Sequence, residues 1–381
     1  MQVNIPESSL PTSVAWPQAL WLHEEVTAWI QAVVNPSAAV EGPLAIYNEK
    51  AWGITARFQC GSEQIVFKGC QLPLFAPRLA TEALLAQHCA AHVPDYVAGR
   101  LLPNQETWTL HRYCAGVAVN ESHNFANTLE FARTVAILQS TIAALPPAAW
   151  SVLPQTRVTA IPMMLDTLIE RITTTYLNAW FADDGALLER FDLPTNVLEQ
   201  LHYYRPKVAR WAAELHAGDW PLSIDHPDLN LSNALLRAES NQLVILDWEE
   251  AMISCPFFSL FRLLDAADDF VAVPEELVRT EGPLLLTPNQ VAVRNAYLAQ
   301  LPWQNRTARE RAFDLAICLA PIKMAYEDEQ FSAARTRPQG NPVSVALCFG
   351  RALHYWQAMT GVKNNQVMKS GNKQLHKGEA Q

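Results

Sequence analysis

The chain has no excess of positive charge, no paired-cysteine motif and no long uninterrupted apolar run. Its formal net charge is −10, which argues against general nucleic-acid binding, because that needs a basic surface. The same acidity is compatible with a cationic substrate, although net charge speaks first to solubility. The cysteines number seven, at positions 60, 70, 89, 114, 255, 318 and 348. An odd count without a C-x-x-C pair argues against a disulfide framework or a zinc site. The N-terminal residues include Glu7 and several prolines, with no basic start before an apolar stretch, so no signal peptide is expected. No apolar run reaches the length of a bilayer, so no membrane contact is expected and the cytoplasm is the expected location. Charged residues are also few, at 17% against 50% hydrophobic. That balance supplies a sizeable core and argues against disorder over most of the chain.

What is present is one dense polar stretch. It runs Ile224-Asp225-His226-Pro227-Asp228-Leu229-Asn230-Leu231-Ser232-Asn233, continues through apolar residues, and resumes at Asp247-Trp248-Glu249. Asp228 and Asn233 share one loop, so their side chains can converge. The segment from Ala234 to Leu246 reads as two short apolar strands around a polar turn. That hairpin returns Asp247 to the loop that holds Asn233. A hydroxyl nucleophile must be oriented and deprotonated, and a carboxylate does both at neutral pH. Mg²⁺ takes hard oxygen ligands and keeps several waters, so one carboxylate and one amide oxygen suffice from the protein. The pattern points to phosphoryl transfer from ATP to a hydroxyl, with Asp228 as base and Asn233 and Asp247 as metal ligands.

His-x-Asp-x-x-x-x-Asn followed by a strand and Asp-Trp-Glu resembles the aminoglycoside phosphotransferase and choline-kinase-like branch of the protein-kinase fold. His226, Asp228 and Asn233 match its catalytic loop, and Asp247 matches its metal-binding aspartate. The chain departs from the common pattern at Pro227, where Gly is usual, and at Asn230, where His is frequent. Neither position holds the base or the metal. The resemblance implies an α+β, bilobal, protein-kinase-like fold with a small antiparallel-sheet lobe and a larger helical lobe. It also implies ATP and Mg²⁺ as cofactors and a small-molecule hydroxyl as acceptor.

The 381 residues suit such a two-lobed enzyme. Residues 1–40 read as coil and a helix from Pro17 to Val34, 41–113 as the small lobe, 114–362 as the helical lobe and 363–381 as a polar tail. Within the small lobe, strands are expected at 44–47, 53–58, 65–68, 96–98 and 107–113, with a helix from Leu79 to Ala91. On this template Lys68 grips the ATP phosphates and Glu82 holds Lys68 in place. The stretch from Asn48 to Gly53 sits where a phosphate-covering hairpin belongs, yet Gly53 is its one glycine. Backbone N–H groups can still cradle a phosphate there. Adenine is expected at the main chain from Leu110 to Cys114, which includes His111 and Tyr113. His226 is expected to orient the catalytic loop, and Glu249 to stand near the metal.

Helices are expected at 129–144, 161–180 and 197–215. Thr287-Pro288-Asn289-Gln290 reads as a capping box, and Asn341-Pro342 opens a last helix that stops at Gly361. For an amino-bearing acceptor such as an aminoglycoside, the acidic groups are Glu249, Glu250, Asp265, Asp268 and Asp269, and then Glu327, Asp328 and Glu329. Tyr203, Tyr204, Trp211 and Trp356 form either an aromatic cage for a quaternary ammonium or part of the core. Two other readings stand beside the small-molecule kinase. One is a nucleotide-binding regulatory protein without transfer activity. The other is a protein kinase, against which the missing Gly-rich loop and Trp248 both count.

Overall fold

Alternating polarity between residues 40 and 112 builds an antiparallel sheet whose two faces have different jobs. The computed structural model of the chain describes residues 20–50, 52–182, 185–267, 283–334 and 340–361. Helix α1 (Leu20–Val34) precedes strands β1 (Val40–Lys50), β2 (Gly53–Cys60) and β3 (Glu63–Cys70). Helix α2 (Arg78–Cys89) follows, and then β4 (Tyr96–Leu101) and β5 (Thr107–Arg112). The sheet order is β1-β2-β3-β5-β4. Ala56, Phe58, Phe67, Trp108 and Leu110 point to one face and pack with Val26 and Ile30 of α1. The Trp29 ring stands 5.7 Å from Trp108, which stands 5.3 Å edge-on to Phe67. Successive strand residues alternate sides, so Lys68, Thr109 and His111 share the opposite face with α2.

The larger lobe opens with β6 (Gly116–Ala118), α3 (Phe125–Ala143), α4 (Ile161–Arg171), α5 (Leu177–Trp180), α6 (Ala186–Arg190) and α7 (Val197–Ala217). Strands β7 (Ser223–Asp225), β8 (Ala234–Arg237), β9 (Leu243–Ile245) and β10 (Met252–Ser254) carry the polar motif. Helices α8 (Leu260–Ala266), α9 (Pro288–Leu298), α10 (Arg306–Ala334) and α11 (Pro342–Thr360) complete it. Helix α10 is buried on every side between Ala312 and Ile322, as expected of a helix apolar all round. Thr287 accepts from the Gln290 N–H while Gln290 accepts from the Thr287 N–H, the reciprocal capping box. Gly361 ends α11 with φ +68°, a backbone region that glycine enters without a Cβ penalty.

One expected helix is interrupted. Residues 161–180 form α4, a π-helical turn over Ile172–Tyr176, and α5. Thr173 Oγ1 donates to the Ile169 carbonyl at 2.7 Å, and Thr174 Oγ1 donates to that of Glu170 at 2.9 Å. Hydroxyls that bond back to i−4 carbonyls compete with the helical ladder. Pro17–Gln18–Ala19, Asp268, Asp269 and the expected polar tail lie outside the described residues. No helix among the described residues is long and apolar enough to cross a membrane.

Candidate functional site

The polar motif folds as a loop between β7 and β8 and a second turn after β9. A buried polar frame holds its approach. Gln139 of α3 donates to the carbonyls of Ile224 and Pro256, both at 2.9 Å, and accepts from Tyr297 Oη at 2.6 Å. Ser259 Oγ donates to Asp225 Oδ1 at 2.6 Å and accepts from the His226 N–H at 2.9 Å. Buried polar groups must be paired to be tolerated, so this frame fixes β7 before the loop begins.

Within the loop, Asn230 Oδ1 accepts from the N–H groups of Ser232 at 3.0 Å and Asn233 at 3.2 Å. This caps the 3-10 turn Leu231–Asn233 and presents Asn233 toward Asp228. Asn233 Nδ2 donates to the Asp228 carbonyl at 2.9 Å and to Asp228 Oδ2 at 3.2 Å. The amide nitrogen is thereby engaged, and the amide oxygen is turned to the other side. The Leu246 N–H donates to the Asn233 carbonyl at 2.8 Å, and His226 Nε2 donates to the Leu246 carbonyl at 2.9 Å. The structure therefore brings Asp228 and Asn233 together and stitches the strand that ends at Asp247 onto their loop.

Asp247 has φ 63° and ψ 50°, a left-handed conformation that costs a non-glycine residue about 1–2 kcal/mol. Trp248, 4% exposed, buttresses it by donating from Nε1 to the Ile245 carbonyl at 2.9 Å. Lys68 Nζ lies 2.7 Å from Asp247 Oδ1. That Lys68 charge, against the opposing effect of burial, holds the Asp247 carboxyl down at about 2. Burial alone would lower the Lys68 pKa, but Asp247, Glu249 and Glu82 outweigh it and keep the ammonium charged.

The pairing expected between Lys68 and Glu82 is corrected by the structure. Glu82 Oε2 lies 3.3 Å from His111 Nε2, with both side chains buried. Burial would raise the Glu82 carboxyl, but His111, Arg78 and Lys68 bring it down to about 2. His111 stands on the α2 side of β5, with its ring 5.6 Å from Tyr96. The Tyr113 N–H donates to the Gln64 carbonyl at 2.8 Å, and the Arg57 guanidinium sits 4.5 Å above the Tyr113 ring. Gly53 begins β2, where a Cβ would come 2.9 Å from the Gly69 carbonyl of the neighbouring strand.

Arg78 was not legible as part of this site. It is 1% exposed, and its guanidinium reaches Glu249 Oε2, the Lys68 carbonyl and the Thr107 carbonyl, each at 3.0 Å. Lys323 was missed too. Its ammonium, also buried, lies 2.6 Å from Asp225 and 2.7 Å from Glu327. Neither is marked in the sequence, where each reads as a solvated helix residue.

Two of the acceptor-binding expectations meet a different fate. Glu327 is engaged with Lys323, and Glu329 accepts from Tyr176 Oη and from the Asn341 N–H at 3.1 Å. Asp265 lies 3.4 Å from Arg351. Tyr204, Trp211 and Trp356 are core residues at 1%, 2% and 0% exposure, while Tyr203 is exposed with Lys207 3.2 Å over its ring. Tyr204, Trp211 and Trp356 thus belong to the core and not to an open cage.

The family model described as the phosphotransferase enzyme family, APH, matches residues 57–285, more than half of the chain. Among solved structures, the GDP complex of aminoglycoside 2'-phosphotransferase-IIIa is similar with a TM-score of 0.53 and 15% identity, over 90% of this chain and 100% of that one. A putative aminoglycoside phosphotransferase from Ralstonia eutropha aligns with a TM-score of 0.52 and 11% identity, over 90% and 99%. Plasmodium vivax ethanolamine kinase aligns with a TM-score of 0.51 and 10% identity, over 90% and 89%. At these identities the likenesses show the kinase-like fold. No curated protein sequence matches the chain. The match to the family model, across the segment that carries Lys68, the Asp228–Asn233 loop and Asp247, shows that the chain belongs to the phosphotransferase enzyme family.

Proposed function

We propose that this protein transfers the γ-phosphate of ATP, with Mg²⁺, to a hydroxyl of an amino-bearing small molecule. The observation that carries the reading is the convergence of Asp228, Asn233 and Asp247 on one stitched loop, with Lys68 at 2.7 Å from Asp247. Asn233 directs its amide nitrogen to Asp228, which leaves its oxygen for a cation beside the ionised Asp247 carboxylate. One amide oxygen and one carboxylate are a donor set that suits Mg²⁺ completed by phosphate and water. Bound there, the cation would neutralise charge on the transferring phosphate.

The chain's own groups have separable tasks. Asn233 Nδ2 fixes one Asp228 oxygen, and the other accepts the hydrogen bond of the incoming hydroxyl. As the new O–P bond forms and the bond to the nucleotide's leaving oxygen breaks, the hydroxyl proton passes to Asp228. Lys68 exchanges Asp247 for a phosphate oxygen. At the hinge, β5 and the Tyr113 N–H are committed to the sheet, so the base is left to the main chain around Cys114. An amino-bearing acceptor is favoured by the similar structures, which include aminoglycoside phosphotransferases, one of them bound to kanamycin, and an ethanolamine kinase.

The test is a screen of Mg²⁺-dependent ATP consumption with aminoglycosides, choline-like amines, amino acids, nucleosides and sugars. With the acceptor found, Asp228→Asn should reduce turnover by about 10²–10⁴-fold while nucleotide binding persists. Undiminished turnover in that variant would overturn the assignment of the base.

A further inference from the structure

We propose that Arg78 and Glu249 form a cross-cleft latch that holds the Asp247 turn against the Lys68 strand. Arg78 thus takes the positioning role that the kinase plan gives to the helix glutamate. The proposal rests on the reading of Asp247 and Lys68 given above and adds two positioning residues to it.

Arg78 is the first residue of α2 in the small lobe, and Glu249 lies two residues beyond Asp247 in the large lobe. Their side chains meet at 3.0 Å, with 1% and 25% of each exposed. Arg78 Nη2 also reaches the carbonyls of Lys68 and Thr107, both at 3.0 Å. In the β3–β5 register, Gly69 pairs with Trp108, and Lys68 and Thr107 flank that pair diagonally. Trp108 turns its ring to the α1 face, and strand alternation puts position 69 on that face too. On the α2 face the guanidinium therefore lies over backbone between two strand carbonyls. A planar fork with fixed donors suits that seat, and a lysine ammonium does not.

Why the Asp247 turn needs such a partner follows from its backbone. Asp247 is left-handed, and a strained residue persists only where its surroundings over-determine it. Trp248 anchors one side of the turn through its bond to Ile245, and Arg78 anchors the other through Glu249. The Lys68–Asp247 pair alone cannot serve, because Lys68 must turn to phosphate once the nucleotide is bound. The Arg78–Glu249 pair survives that exchange. Glu249, so engaged, positions the turn.

Calorimetric titration of the full chain with AMP-PNP, once with Mg²⁺ and once with EDTA, tests this. The wild type should bind more tightly with Mg²⁺. Arg78→Met and Glu249→Ala should each cut that Mg²⁺-dependent gain by about tenfold, and the double variant by no more than the larger single, since partners in one pair are non-additive. Metal-free affinity should stay within about threefold, because the Lys68 side chain is unchanged. Arg78→Lys keeps the charge, loses the fork and should fall between. A general loss of structure would weaken both titrations alike, and Glu249→Ala, truncated from the accessible side, guards against misfolding of the Arg78 variant. A full Mg²⁺ gain in Glu249→Ala, or losses that add in the double variant, would overturn the latch. A wild type that shows no Mg²⁺ gain would overturn the metal reading beneath it.

Discussion

Replacing Lys323 by Met should strongly destabilise the protein. Lys323 is 2% exposed, and its two partners Asp225 and Glu327 are 1% and 8% exposed. The ammonium sits 2.6 Å from one carboxylate and 2.7 Å from the other. Methionine fills comparable space without the charge and leaves both carboxylates buried. Breaking a buried pair from one side costs about 3–5 kcal/mol, a large share of the roughly 5–15 kcal/mol that holds a domain folded.

The triad also sets a sign for pH. Two carboxylates share one cation, and burial pushes the Glu327 carboxyl from 4.5 up to about 7 in spite of Lys323. The folded protein therefore holds this proton more tightly than the unfolded chain does. The contribution to stability is full below the unfolded value and is lost as pH rises through the folded one. At roughly 1.4 kcal/mol per pH unit, the loss is on the order of 3 kcal/mol. Glu327→Gln keeps the shape and cannot titrate. Urea unfolding at about pH 5 and about pH 8 should show it gaining on the wild type by that amount as the pH rises. Lys323→Met should be milder at the lower pH, where Glu327 can take a proton. A Lys323→Met loss under about 1 kcal/mol, or a flat difference between Glu327→Gln and wild type, would refute this account of the triad.

Three other changes have defined outcomes. Asn230→Ala removes the cap of the turn that presents Asn233; it should cost about 1 kcal/mol in urea unfolding and lower turnover at saturating nucleotide. Lys68→Met frees Asp247 from the charge that holds its carboxyl near 2, so Mg²⁺-nucleotide binding should weaken as pH falls through the ordinary aspartate range. The wild type should not weaken there, because a depressed pKa postpones the loss to still lower pH; equal acid sensitivity in calorimetric titrations of the two would contradict the pairing. Gly53→Ala places a Cβ 2.9 Å from the Gly69 carbonyl, and thermal unfolding should show a loss of about 1–3 kcal/mol from overpacking.

Local chemistry made much of the fold legible. The β8–β9 hairpin, the Thr287 capping box and the Gly361 stop each depend on residues a few positions apart, and each stands where the pattern places it. The stretch 161–180 misled because its apolar spacing is helical throughout, while its threonines bond back to the helix carbonyls and widen a turn. The convergence of Asp228 and Asn233 was legible for the same reason as the hairpins: two residues five positions apart on one capped loop have little freedom. The partner of Glu82 was not, because His111 lies on β5 and meets α2 only when the sheet is assembled.

Along the chain Arg78, Lys323 and Glu327 look like solvated helix residues, and only packing shows that they are buried. The two buried cations stand at the two ends of one motif. Lys323 backs Asp225, just before the loop, and Arg78 backs Glu249, just after Asp247. Apolar side chains of similar volume would serve stability as well or better, since desolvating a charge offsets much of its attraction. What an apolar contact lacks is direction. Each ion pair ties a carboxylate of the motif to an element outside it at hydrogen-bond length, so the strand that enters the loop and the turn that leaves β9 are both fixed relative to α10 and α2. Asp228 lies between them, half-buried and held on one side by Asn233. On the proposed reading, a base that must meet a mobile substrate stays accessible, while the two cations that fix the geometry around it are buried.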